Sequence, residues 1–156
     1  LFGDDVVVND VPCIKQLIDA YDETGKTVVG VQEVENKLAV LYGAIEKGAS
    51  HGRFTEFKNL IEKPDINNLP SNLVSLGRFV LSNGIFGALE QTPMRGTELV
   101  LPEAVSTIAK TEGAVAYTFE GAHYDIGNKL GYAIAAADFS LARFGDDFKK
   151  HIKTIL

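Results

Sequence analysis

The sequence predicts an α/β fold, a mixed and mostly parallel sheet flanked by helices, and three observations lead there. Strand-like and helix-like periodicities alternate from the first residues onward. Polar residues gather where strand patterns give way to Gly and Pro turns, which is where α/β sheets usually hold their ligands. A chain of 156 residues with 46% hydrophobic and 23% charged side chains also has the size and balance of one globular domain, residues 1–156, with a sizeable core.

After the apolar opening Leu1-Phe2-Gly3-Asp4-Asp5-Val6-Val7-Val8, the residues Ile14, Leu17, Ile18 and Tyr21 recur at helical spacing. Asp10 is placed to cap that helix and Gly25 to end it. Thr27 to Val34 is short and rich in β-branched residues, so the first three elements read strand, helix, strand, the signature of a parallel crossover. Ala39 to Ile45, Phe54 to Ile61 and Val74 to Leu81 read as further strands, the last two joined by the turn-rich stretch Lys63 to Asn72. Ile85 to Glu90 and Leu101 to Ala109 read as short helices on either side of a flexible segment, Thr92 to Thr97. Val115, Tyr117 and Phe119 alternate with Ala116, Thr118 and Glu120, which gives a strand with one buried face, and Gly121 and Gly127 then bracket a turn. Leu130, Ile134, Ala137 and Leu141 mark a helix from Lys129, and Phe148, Ile152 and Ile155 should face inward from a last one. No internal repeat, low-complexity tract or long linker interrupts the pattern.

Composition excludes several function classes. A net charge of -6 argues against non-specific nucleic-acid binding, which needs clustered Lys and Arg to neutralise phosphates. The single cysteine, Cys13, excludes an intramolecular disulfide and fits a reducing cytoplasm, and no Cys/His cluster has zinc spacing. No apolar run approaches the roughly 18 residues of a membrane span, so no membrane partner is expected. No Ser lies in a G-x-S-x-G turn and no G-x-x-x-x-G-K-[ST] loop is present, which argues against covalent hydrolase chemistry and a P-loop. His51, His123 and His151 lack ligand spacing and read as solvated or hydrogen-bonded. The opening has no initiator Met and reads as though cut within or just after a strand, so a fragment is expected.

Three segments place polar groups at predicted strand ends. In Gly3-Asp4-Asp5, two adjacent carboxylates could supply a hard oxygen ligand to Mg²⁺, although such pairs by themselves commonly serve turns. In Ile61-Glu62-Lys63-Pro64, the proline should hold Lys63 extended and point the neighbouring side chains oppositely, leaving an acid for hydroxyls and an ammonium for phosphate. Tyr124-Asp125-Ile126-Gly127-Asn128-Lys129 is a strand exit, a turn and a helix start. There Asp125 or Asn128 could cap the helix, or Asp125 could bind metal if another carboxylate meets it.

Taken in order, GDD, PCIKQLIDAYDETG with TVVGVQEV, YGAIEKG, LIEKPD, LPSNLVSLGRFVLS, GTELVLPEA and FEGAHYDIGNKLGY make essentially the whole chain resemble the bacterial UTP-glucose-1-phosphate uridylyltransferases, or UDP-glucose pyrophosphorylases. The resemblance implies a Rossmann-like nucleotidyltransferase fold represented by its C-terminal, sugar-binding part, with the nucleotide-binding segment missing. It implies transfer of uridylyl from UTP to glucose 1-phosphate, giving UDP-glucose and pyrophosphate, with Mg²⁺ as cofactor; separately, the apolar C-terminal helix could serve a subunit interface, so a homo-oligomer is expected. By the same resemblance Asp4 and Asp125 would bind Mg²⁺, Glu62 would bind glucose hydroxyls, Lys63 would contact the sugar phosphate, and Gly43 would let the backbone approach the sugar. Asp4 and Lys63 would thus be the catalytic residues.

The chain departs from the family pattern in two places. Gly96-Thr97-Glu98-Leu99-Val100-Leu101-Pro102-Glu103-Ala104 stands where the family usually has Gly-Gly-Glu-Ile-Gln-Leu-Thr-Asp-Ala, and Asn128 stands where Asp is common. The family's G-x-G-T-R loop and uracil-reading segment would lie upstream of Leu1, so the piece alone is expected not to turn over. The alternatives are a sugar nucleotidyltransferase of other base or sugar specificity, and a non-catalytic sugar-nucleotide-binding or assembly domain.

Overall fold

The computed structural model describes residues 1–155. Strand β1 (Asp5–Val8) leads into helix α1 (Cys13–Thr24), which buries Cys13, Leu17 and Ala20 on one face. Gly25 ends α1 in the left-handed conformation (φ 64°), where a missing Cβ removes the steric cost. Strand β2 (Thr27–Glu33) and the single helical turn α2 (Asn36–Ala39) precede the hairpin of β3 (Gly43–His51) and β4 (Phe54–Glu62). A 3-10 turn at Ile66–Asn68 leads to β5 (Leu73–Val80) and then α3 (Ile85–Gln91). The two-residue strand β6 (Met94–Arg95) lies within the segment expected to be flexible, and its partner β7 (Glu98–Leu99) follows directly after it. Helix α4 (Leu101–Thr111), strands β8 (Ala114–Thr118) and β9 (Ala122–Asp125), and helices α5 (Lys129–Phe144) and α6 (Asp146–Ile152) complete the chain. Among the described residues no helix is long and apolar enough to cross a membrane.

The mixed sheet of an α/β fold is present, with strands in the order β2-β5-β3-β4-β8, and β8 pairs back onto β2. Its one parallel pairing among the described residues is β2–β8; the other pairs in it are antiparallel, so the parallel share is smaller than the sequence pattern implied. The reason is local at β3–β4: Gly52, at φ 59°, sits in the two-residue turn between them, and so short a turn permits only an antiparallel hairpin.

Successive residues of a strand point to opposite faces, and the structure divides them between two apolar cores. Val29 and Val31 join Ile45, Phe57, Leu60 and Leu73 beneath α3 and α4, which contribute Ile85, Val105 and Ile108. Val28, Val74, Leu76 and Val115 join Leu17 of α1 on the other face, with Val7 and Tyr42 packed against them. Fully burying one such side chain stabilises by about 1.5–3 kcal/mol, so the sheet is held from both sides.

Several local expectations are corrected. β1 does not pair with β2, whose two edges are taken by β5 and β8; it forms a separate antiparallel ribbon with β9. The turn expected between Gly121 and Gly127 therefore contains a strand. Asp10 does not cap α1; Pro12 stands at the N-cap position without a side-chain bond. The strand expected from Ala39 begins at Gly43, because Ala39 ends α2. β8 is buried on both faces at Ala114, Val115 and Ala116, since Ala114 and Ala116 enter one core and Val115 the other. α5 buries only Ala135; of the positions expected to face inward from the last helix, Phe148 and Ile152 of α6 are half-buried and Ile155, beyond its end, is exposed.

Candidate functional site

Antiparallel pairing explains how residues from the two ends of the chain meet. The register sets Asp5 opposite Asp125, so the beginning of β1 and the end of β9 share one edge of the ribbon. Asp4 lies in the turn just before β1, at the start of a strand rather than at the end of one. The Ile126 N–H donates to the Asp4 carbonyl at 2.8 Å, which fastens this turn to the residues following Asp125. Between them sits Gly127: a Cβ added there would lie 2.7 Å from Asp4 Oδ2 and 3.2 Å from Asp125 Oδ1. The two predicted acids therefore face one small space, which the missing side chain keeps open.

Asp5 has a different task. Its Oδ1 contacts His123 Nε2 at 2.6 Å, both side chains being largely buried, so the second acid of the pair is engaged. Asp4 is exposed, and among the described residues its carboxylate makes no hydrogen bond. The Asp125 carboxylate is held from two sides: Oδ1 accepts the Gly127 N–H at 3.0 Å and Oδ2 accepts the Tyr42 hydroxyl at 3.2 Å. Burial, followed by the Asp125 charge, its hydrogen bond and the Asp5 charge, pushes the Tyr42 phenol up to about 12. Tyr42 therefore remains protonated and donating at neutral pH.

Asn128 resolves the capping question. Its Oδ1 accepts the Gly131 N–H at 2.7 Å and caps α5, which leaves the Asp125 side chain free for other work. At this position Asn and Asp cap equally well, so the departure from the family pattern has a structural explanation.

Among the described residues no group of three or more His, Cys, Asp or Glu could hold a metal. Zinc, which takes three or four protein ligands, and a calcium cage, which takes six to eight oxygens, do not match two carboxylates. Mg²⁺ does, because it takes one or two carboxylates and fills its remaining positions with water and substrate phosphate.

The second cluster lies where β3 and β4 meet. Gly43 pairs with Glu62 across the hairpin, and a Cβ on Gly43 would meet Leu60 Cδ1 at 3.0 Å and Glu62 Oε2 at 3.4 Å. The glycine thus leaves room beside the Glu62 carboxylate. Lys63 departs from expectation: its φ is 44°, left-handed instead of extended, in spite of the following proline. This turn swings the ammonium back toward Glu62, with Nζ 3.8 Å from Oε1, so the two side chains face each other rather than diverge. A non-glycine residue held in this region stores strain, a feature that clusters at functional sites.

Tyr42 joins the clusters. Its hydroxyl reaches Asp125 while its carbonyl accepts the Lys63 N–H at 3.1 Å, and it immediately precedes Gly43. Sequence reading missed both Tyr42 and the Asp5–His123 pair. The only signal was a tyrosine beside a glycine already singled out; nothing local pointed to a partner so distant in sequence.

Known proteins resemble the chain over nearly its whole length. The chain is 40% identical over 158 aligned positions to a UTP-glucose-1-phosphate uridylyltransferase of Staphylococcus epidermidis, an alignment covering 99% of this chain and 55% of that protein. Over nearly its whole length the chain is thus similar to part of a uridylyltransferase. It superposes on an apo UDP-glucose pyrophosphorylase with a TM-score of 0.86 at 32% identity, covering 92% of this chain and 54% of that one. A UDP-glucose pyrophosphorylase complexed with UDP-glucose matches with a TM-score of 0.82 at 32% identity, over 87% of this chain and 53% of that one. The chain thus spans about half the length of these uridylyltransferases. No protein-family model matches it. The stretch that departs from the family pattern, Gly96 to Ala104, runs from the tip of the β6–β7 ribbon into α4, away from the acid pair in sequence.

Proposed function

We propose that this chain carries the sugar-phosphate- and Mg²⁺-binding part of an enzyme that transfers uridylyl from UTP to glucose 1-phosphate, giving UDP-glucose and pyrophosphate. The single observation that carries the reading is the convergence of Asp4 Oδ2 and Asp125 Oδ1 over Gly127, in a chain that resembles these uridylyltransferases. The names of the relatives supply the substrates, UTP and glucose 1-phosphate, and a homologue binds UDP-glucose.

In the reaction an oxygen of the sugar phosphate attacks the α-phosphorus of UTP in line, a P–O bond to pyrophosphate breaks, and pyrophosphate leaves opposite. No covalent enzyme intermediate is required. Two anions must approach, and at about 4 Å two unit charges repel by roughly 4 kcal/mol at an effective dielectric near 20. Lys63 offsets part of that by placing its ammonium on the sugar phosphate. Glu62 accepts from glucose hydroxyls beside the opening at Gly43, fixing the orientation of the attacking group. Asp4 and Asp125 would hold a Mg²⁺, which when bound would supply charge neutralisation at the phosphates.

The test is turnover in the full-length protein. Asp4→Ala and Asp125→Ala should each abolish UDP-glucose formation while the protein stays folded, because neither side chain lies in a core. Lys63→Ala should raise the KM for glucose 1-phosphate and lower kcat. Normal turnover in either Asp variant would refute the metal assignment, and a substrate panel that prefers another base or sugar would refute the stated specificity.

A further inference from the structure

We propose that Tyr42 is a positioning residue that fixes the Asp125 carboxylate toward the space above Gly127. The proposal rests on the metal reading above. A free aspartate rotates about two side-chain torsions, and Asp125 is held against both by donors from different elements: the Tyr42 hydroxyl at 3.2 Å on Oδ2 and the Gly127 N–H at 3.0 Å on Oδ1. With one oxygen pinned on each side, Oδ1 keeps one lone pair for a ligand in the space over Gly127 that Asp4 Oδ2 also borders.

Tyr42 is itself anchored well enough to serve as a reference point. Its carbonyl accepts the Lys63 N–H at 3.1 Å, and its ring lies edge-on to His123 with centroids 6.5 Å apart and planes at 77°. His123 is in turn held by Asp5 at 2.6 Å. A carboxylate that binds a metal gains affinity when a neighbouring group orients it, and loss of such a partner typically weakens binding about 10–100-fold. The competing view is that the phenol only satisfies its own hydroxyl where it is half-buried. That view predicts a loss of stability with unaltered metal binding.

Tyr42→Phe separates the two, since it keeps the ring and its packing and removes one oxygen. Mn²⁺ alone, titrated into the full-length protein and followed by water-proton relaxation, should bind about tenfold more weakly or worse in Tyr42→Phe. The melting midpoint should change little, and affinity for glucose 1-phosphate should not move, because the carbonyl that holds Lys63 is retained. In an Asp125→Asn background the same substitution should have no further effect on Mn²⁺ affinity, since Tyr42 acts only through that carboxylate. Unaltered Mn²⁺ affinity in Tyr42→Phe, whether or not the midpoint falls, overturns the positioning role if Asp125→Ala does weaken binding. Unaltered affinity in Asp125→Ala as well overturns the metal reading beneath it.

Discussion

Replacing Lys63 by Gly and by Ala separates the strain at this position from its charge. Lys63 has a φ of 44°, a conformation that costs an L-residue with a Cβ about 1–2 kcal/mol. Glycine escapes that cost but gives back about 0.4–1 kcal/mol through the greater freedom of its unfolded chain. Lys63→Gly should therefore stabilise by about 0.5–1 kcal/mol, which for a chain of this length raises the melting midpoint by about 1–4 °C. Lys63→Ala keeps the strain. It loses only a solvent-exposed contact with Glu62 at 3.8 Å, worth about 0–1 kcal/mol, so its midpoint should stay near that of the parent or fall slightly. Both variants lose the ammonium. A charge-assisted hydrogen bond is worth about 1.5–3 kcal/mol, so calorimetric titration should show glucose 1-phosphate affinity falling about ten- to a hundredfold in each. A Gly variant no more stable than the Ala variant would refute the claim of strain. Unchanged affinity in both would refute the phosphate contact.

Other expectations follow from the same structure. Among the described residues Ser75 is buried with no partner for its hydroxyl, and an unsatisfied buried group costs about 1–3 kcal/mol; Ser75→Ala should raise the urea midpoint, and a lowered midpoint would contradict it. Gly127→Ala would bring a Cβ within 2.7 Å of Asp4 Oδ2, the end of an exposed side chain that can swing aside. Mn²⁺ affinity should therefore drop about tenfold or more while the melting midpoint holds, and retained affinity would show that the two acids do not share this space. Burial pushes the Cys13 thiol from 9.0 up to about 11, so the folded state keeps a proton that the unfolded state releases. That contribution to stability is complete below pH 9, is lost as pH rises toward about 11, and should vanish from the pH-stability curve of Cys13→Ala; identical curves above pH 9 would refute it. Cys13 should also resist thiol reagents until the protein unfolds.

Elements that carry their own periodicity were legible in the sequence. The apolar face of α1, its stop at Gly25, and the helical patterns of α4 and α5 each follow from spacing within a few turns. Pairing was not legible in the same way. β9 is only Ala-His-Tyr-Asp, too short and too polar to announce itself, and it exists because β1 lies beside it. The inward face expected of α6 is only half-buried, at Phe148 and Ile152, because a periodic pattern shows that a helix is amphipathic without showing what it packs against. In the site, residue types and the family resemblance pointed to Asp4, Asp125, Glu62, Lys63 and Gly43. The reach of Tyr42 to Asp125 and the left-handed turn at Lys63 depend on contacts between distant strands, and no window of sequence contains them.

The site gathers features that a stable fold would otherwise avoid, and the rest of the molecule makes them tolerable. Two carboxylates face a common space, and one residue is held at positive φ before a proline. Each liability is kept small by its surroundings. Asp4 is exposed, so its repulsion of Asp125 acts through solvent, where two unit charges at about 4 Å cost only about 1 kcal/mol. The strain at Lys63 is of similar size, about 1–2 kcal/mol. The two cores flanking the sheet outweigh both, since each fully buried valine or leucine contributes about 1.5–3 kcal/mol and Val28, Val29, Val31, Val74 and Leu17 have no exposed surface. Of those residues Val28, Val74 and Leu17 lie in the core that Tyr42 packs against, so the packing that offsets the cost also anchors the ring whose hydroxyl orients Asp125.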